Sequence, residues 1–227
     1  DLIKVFTGIR RAGKSVMLEL VKNELKESGI SEENFLCINF EQFSNSQFLD
    51  VESLYKKIVD FQKNTKGKIY LFFDEIQEVD GWEKCINSCR IDFDCDIYIT
   101  GSNAKLLSGE LATYLAGRYV EFVIYPFSFA EFFEMNLIKN PNVDKATCFM
   151  QFLKTGGMPF LSNFPDDDSA KSQYLIDIYN SVVLKDVVKR NNIRDVDTLE
   201  RIVAYAFSNI GHIFSPKLYR FHKQHTL

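Results

Sequence analysis

Leu2-Ile3-Lys4-Val5-Phe6-Thr7-Gly8-Ile9-Arg10-Arg11-Ala12-Gly13-Lys14-Ser15-Val16-Met17-Leu18 is the stretch on which the fold turns. An apolar run comes first, then Gly-x-x-x-x-Gly-Lys-Ser, then apolar residues at helical spacing. The order reads as strand, phosphate loop and helix. A triphosphate needs many N–H donors at close range. Glycines at both ends of the loop let the backbone curl round it, and the first turn of the helix adds donors and a dipole that favours an anion. The expected nucleotide-binding set is Gly8, Ile9, Arg10, Arg11, Ala12, Gly13, Lys14, Ser15 and Val16. Lys14 would reach the β- and γ-phosphates, and the Ser15 hydroxyl would hold a Mg²⁺ ion that bridges the same two groups. A glycine turn with solvated Lys and Ser is the plainer alternative, and the flanking strand and helix weigh against it.

Downstream, Lys68-Ile69-Tyr70-Leu71-Phe72-Phe73-Asp74-Glu75 is an apolar strand that ends in two carboxylates. Acid is thereby placed at the carboxyl edge of a sheet, where α/β folds hold their ligands. Asp74 is expected in the shell of the metal, and Glu75 is expected to orient or deprotonate an attacking water. A strand that ends in acid merely because its turn is solvated is the competing reading, and the phosphate loop upstream weighs against it. Asp96-Ile97-Tyr98-Ile99-Thr100-Gly101-Ser102-Asn103 is a further buried strand with a small polar end. Ser102 and Asn103 are candidates to hydrogen-bond the water or a phosphate oxygen, Thr100 is equally able by chemistry, and the same residues could instead cap a helix. Arg118, delivered by a helix at Ala104 to Gly117, either satisfies that helix's last carbonyls or projects to a neighbouring protomer's γ-phosphate.

Composition sets outer bounds. The chain has 227 residues, 46% hydrophobic and 26% charged, which suits a well-buried globular core rich in its 21 phenylalanines. A net charge of −4 argues against a wholesale basic surface for nucleic acid, though it leaves room for a local patch. No run is long enough for a membrane span and no leader precedes Leu2, so no membrane partner and a cytoplasmic setting are expected. The five cysteines lack paired spacing and are expected to be reduced thiols, and no zinc site is assigned. Both ends look like cuts through a longer protein.

Helices are expected at Lys14 to Ser28 (Val16 or Met17, Leu20, Val21 and Leu25 inward), at Phe48 to Lys63 and at Gly81 to Phe93, with a short buried strand at Phe35 to Phe40. Tyr119 to Tyr125 reads as another strand. From Pro126 the character becomes helical and aromatic, which divides the chain into 1–126 and 127–227. Gly156-Gly157-Met158-Pro159 reads as a rigid corner, and Asp166-Asp167-Asp168 as the acidic start of a helix with Leu175, Ile178, Tyr179, Val182 and Val183 inward. Past Gly211, a turn into Lys217 to Lys223 suggests the first half of a helix-turn-helix or winged helix that is incomplete at Leu227.

Taken together, these motifs resemble the AAA-type P-loop ATPases. More narrowly they are similar to the bacterial and archaeal group in which the ATPase domain precedes a domain of unknown function. The residues that carry the likeness are Thr7 to Ser15, Phe73-Asp74-Glu75-Ile76-Gln77, Thr100-Gly101-Ser102, Gly117-Arg118-Tyr119, Tyr125 to Phe132 and Gly156 to Pro159. The resemblance implies an α/β fold with a five-stranded parallel sheet, an extra strand between the phosphate-loop and Asp74 strands, and then helices with a winged-helix element. It implies ATP as the nucleotide; with the Mg²⁺ expected at Ser15 and Asp74, the first expectation is Mg²⁺-dependent ATP hydrolysis coupled to a conformational task. Apart from the resemblance, a homo-oligomer in which Arg118 acts in trans is one expectation, and DNA as a partner for the incomplete winged-helix region is another. The competing expectation is a nucleotide-dependent DNA- or protein-binding switch with little turnover. A phosphotransferase with a small acceptor ranks below both.

Overall fold

The computed structural model describes residues 2–101, 115–164, 167–182, 187–188 and 193–211. The chain divides into two compact units, Asp1–Ile178 and Tyr179–Leu227. In the first, strands β1 (Ile3–Thr7), β2 (Phe35–Asn39), β3 (Ile69–Asp74), β4 (Cys95–Thr100) and β5 (Tyr119–Val123) form a parallel sheet in the order β2-β3-β4-β1-β5. β4 therefore lies between the phosphate-loop strand and the Asp74 strand, as the resemblance implied.

Successive strand residues face opposite sides of the sheet, so each strand feeds two cores. On one side Val5, Leu71, Phe73, Ile97 and Ile99 pack with Leu54 and Ile58 of helix α2 (Val51–Asn64) and with Ile86 and Cys89 of α3 (Trp82–Asp92). On the other, Phe6, Phe35, Phe72 and Tyr98 meet Leu18 of α1 (Lys14–Glu27), flanked by Met17, Val21 and Leu25. Phe72 and Tyr98 stack there with ring centroids 4.6 Å apart. A sheet covered on both faces is why its strands read as unbroken apolar runs.

Two helix expectations shift. Leu18 centres the inner stripe of α1, whereas Val16 and Leu20 are 61% and 56% exposed, because Leu20 lies about 200° round the helix from Leu18. α2 begins at Val51 rather than at Phe48, since the Asp50 side chain accepts the Ser53 N–H at 2.8 Å and fixes the start. Gly29 does end α1. At φ +100° it lets its own N–H reach the Lys26 carbonyl and that of Ile30 reach Leu25.

Beyond the sheet, α4 (Phe129–Lys139) opens on a reciprocal Ser128 and Glu131 capping box, and α5 (Lys145–Thr155) on Asp144. α6 (Asp168–Ser181) is capped by Asp167, which accepts the N–H groups of Ser169 and Ala170. Its buried residues are Lys171, Tyr174 and Ile178, whereas Tyr179, expected inward, is 40% exposed. Tyr174 turns inward because Phe160 and Phe164 gather round its ring at 5.5 and 5.2 Å. In the second unit α7 (Val196–Ser208) is capped by Asp195. The helix expected at Ala104 to Gly117 falls mostly outside the described residues, as does the winged-helix element expected beyond Gly211. Among the described residues no helix is long and apolar enough to cross a membrane.

Phe73 has no exposed surface and stands at the centre of the larger core. Phe73→Ala should lower unfolding stability by about 3–5 kcal/mol, read from the urea midpoint. A loss below about 1 kcal/mol would place the core elsewhere.

Candidate functional site

The parallel register brings the carboxyl ends of β1, β2, β3 and β4 to one edge of the sheet, with Asn39 opposite Asp74 and Phe6 opposite Thr100. At the end of β1 the chain turns sharply at Gly8, whose φ is +144°. The Ile124 N–H donates to the Thr7 carbonyl at 2.7 Å, and a Cβ on residue 8 would lie 2.2 Å from the Ile124 carbonyl oxygen. The loop then runs to Gly13, at φ +106°, where α1 begins. The first-turn N–H groups of α1 have no acceptor inside the helix, so the loop closes on a ready set of donors. Arg11 also has a positive φ, +62°, rare for a residue with a side chain.

Lys14 is 5% exposed and folds over this loop, its Nζ donating to the carbonyls of Gly8 at 3.2 Å and Ile9 at 3.3 Å. Glu75 Oε1 lies 3.9 Å from the same Nζ. Asp74 is held from both sides. Asn39 Nδ2 donates to one carboxylate oxygen at 2.8 Å, and Thr100 Oγ1 donates to the other. Thr100 Oγ1 in turn accepts the Glu75 N–H at 2.9 Å, so one buried hydroxyl fixes the carboxylate of the first acid and the backbone of the second. Glu75 sits at φ +57°, a strained position that this bond helps hold. Burial pushes the Glu75 carboxyl above the usual carboxylate range, against the opposing pulls of the Gln77 hydrogen bond and the Lys14 charge. Gln77 Nε2 donates to Glu75 Oε2, while Gln77 Oε1 is buried with no hydrogen-bond partner.

A cleft of about 350 Å³ opens beside this group, lined by Ser15 and Val16 of α1, by Asn39 and Asp74 at the strand ends, and by Gln42 and Asn45. Ser15 and Asp74 thus share a wall of one cavity. Both offer hard oxygen ligands, and a carboxylate that accepts two hydrogen bonds still has lone pairs to give.

Of the residues singled out in the sequence, the structure brings together Lys14, Ser15, Asp74 and Glu75. Arg118 is exposed at the opposite end of the sheet, where its carbonyl accepts the Ile3 N–H and its guanidinium donates to Asn87 Oδ1 at 3.1 Å. Five residues of strand, roughly 16 Å, separate it from the loop. Ser102 and Asn103 lie outside the described residues. Asn39 went unread, although it ends a buried strand in the same way as Asp74.

Residues 1–133 match the family model of an AAA domain. A protein of Haemophilus influenzae described as uncharacterized is 41% identical over 218 residues, 95% of this chain and 54% of its own. One of Methanocaldococcus jannaschii, also described as uncharacterized, is 35% identical over 223 residues, 91% of this chain and 47% of its own. The chain therefore spans about half the length of the curated relatives it matches. Among solved structures, AMPPCP-bound DnaA from Aquifex aeolicus is 17% identical with a TM-score of 0.49, covering 91% of this chain and 63% of that one. The family model accounts for more than half of the sequence, including both the phosphate loop and the acid pair, and the chain belongs to the AAA domain family.

Proposed function

We propose that this chain binds ATP with Mg²⁺ and hydrolyses it. The observation that carries the reading is the meeting of Lys14 with Glu75, 3.9 Å apart, beside a cleft that Ser15 and Asp74 line together. In this reading the loop N–H groups and the first turn of α1 hold the phosphates, and Lys14 supplies a mobile cation to the β- and γ-phosphates. Ser15 Oγ and the Asp74 carboxylate are the metal's protein ligands, directly or through its water shell. Held by these two oxygens, a Mg²⁺ ion would supply charge neutralisation for the phosphoryl group. Asn39 and Thr100 keep the Asp74 carboxylate in one orientation. Glu75 is the base: a carboxyl made more basic by burial takes the proton of the attacking water more readily.

Ser102 and Asn103 are assigned to the water or the γ-phosphate on the strength of their place after β4. Arg118 is assigned to a neighbouring copy's γ-phosphate in a homo-oligomer. Its position at the far end of β5, out of reach of its own loop, supports a role in trans. Turnover in this reading is coupled to a conformational task of the helical region, 127–227, which follows the ATPase domain, 1–126.

Glu75→Gln should bind a fluorescent ATP analogue within about twofold of the parent yet turn over at least about 100-fold more slowly, whereas Lys14→Ala should lose binding itself. Equal steady-state rates for Glu75→Gln and the parent would remove Glu75 from the role of base.

Glu75 also predicts a pH signature. Its carboxyl titrates higher in the folded protein than in the unfolded chain, so the folded state holds the proton more tightly. Its contribution to stability is present at acid pH and is lost as pH rises from the ordinary carboxylate range through the raised value. At pH 7 Glu75→Gln should therefore be more stable than the parent in urea, with the gap closing as the solution is acidified. A gap of the opposite sign would show that Lys14 outweighs burial.

A further inference from the structure

The phosphate loop carries two adjacent arginines, and the structure sends the second away from the acids. The Arg11 guanidinium lies over the ring of Tyr174 in α6, 5.0 Å from its centroid. Tyr174 is 9% exposed and its ring packs against Phe160 and Phe164, whereas Arg11 is exposed. Pro159 Cγ would lie 4.0 Å from a Cβ on Gly13, the residue that opens α1. Gly157 packs so closely on Phe127 that a Cβ there would fall 1.9 Å from the Phe127 carbonyl oxygen, and the Phe127 N–H donates to the Gly157 carbonyl at 2.7 Å. Phe127 follows Ile124, whose backbone closes on Gly8. The loop is thus held at Gly8 by the end of β5, and its Arg11 side chain rests on Tyr174.

Arg11 sits at φ +62°, a backbone state that a side-chain-bearing residue keeps only when its surroundings require it. Among the described contacts, the Tyr174 ring lies beneath its guanidinium. We propose that Arg11 is a positioning residue: by stacking on Tyr174 it locks the phosphate loop in its open, donor-presenting shape and makes nucleotide affinity depend on the seating of α6. This rests on the nucleotide site proposed above. The attraction of an exposed guanidinium to an aromatic face corresponds to about a two- to fivefold effect on affinity.

The test is a double-mutant cycle on the full chain, with Arg11→Gln and Tyr174→Leu, alongside the conservative pair Arg11→Lys and Tyr174→Phe. Two quantities are measured: the dissociation constant of a fluorescent ATP analogue with Mg²⁺, and amide hydrogen exchange of residues 9–13 without nucleotide. Each disruptive variant should weaken binding by about two- to fivefold and speed exchange in the loop, and the double variant should be no worse than either alone. Tyr174→Phe, which keeps the ring, should restore both readouts. Additive effects, or Tyr174→Phe as damaging as Tyr174→Leu, would overturn the proposal. If Tyr174→Leu does not fold, Arg11→Gln against Arg11→Lys decides, and loop exchange that is the same in both overturns it. Absence of analogue binding by the parent would count against the nucleotide site, while the exchange measurements would still decide the Arg11 contact by themselves.

Discussion

Backbone meets backbone at Gly8, and the site depends on that contact. The end of β1 is pressed under the carbonyl of Ile124, leaving no room for a side chain, so the chain must leave the sheet there in a direction open only to glycine. From that exit the loop has six residues in which to reach the start of α1. Gly13 takes up the second backbone state that a larger residue resists. Glycine at these two places serves the packing of the fold as directly as it serves the approach of an anion. The same logic recurs at Gly157, where the Phe127 carbonyl occupies the place a Cβ would take.

Once the loop is anchored, the chemistry of the strand ends follows from register. Asn39, Asp74 and Thr100 arrive at one level of the sheet, and the two neutral groups donate to the two oxygens of the carboxylate. A buried carboxylate without donors would be costly, and with them it becomes a fixed acceptor. Glu75, one residue on, is turned out of the strand, loses water and gains a raised affinity for a proton. Two adjacent acids thus acquire different characters from position alone, one held rigid by hydrogen bonds and the other made basic by burial.

Much of this was legible. Gly8 to Ser15 announced a phosphate loop, and the apolar run into Asp74-Glu75 placed acid at a sheet edge, because both signals are local in the chain. The polar end of β2 at Asn39 obeys the same rule, and its pairing with Asp74 rests on the register of the sheet. Gly156-Gly157-Met158-Pro159 reads as a rigid corner, and the surface that Gly157 packs on, Phe127, lies far away in sequence. α6 went astray by about one residue in phase: Leu175 and Tyr179 fitted an apolar stripe as well as Tyr174 did, and only the ring cluster of Phe160 and Phe164 selected the tyrosine. Arg11, grouped with the phosphate ligands, carries its guanidinium to that tyrosine.

The linear chain by itself determined the order of strand, loop and helix and the α/β class. Those features follow from hydrophobic period and from the backbone freedom of glycine, which act over a few residues. Only the tertiary structure decided which donors clasp Asp74, how far Glu75 is stripped of water, that Arg118 stands at the remote end of the sheet and that Arg11 rests on Tyr174. These depend on groups brought together across large separations in the chain, through the register of a parallel sheet and the packing of helices on it.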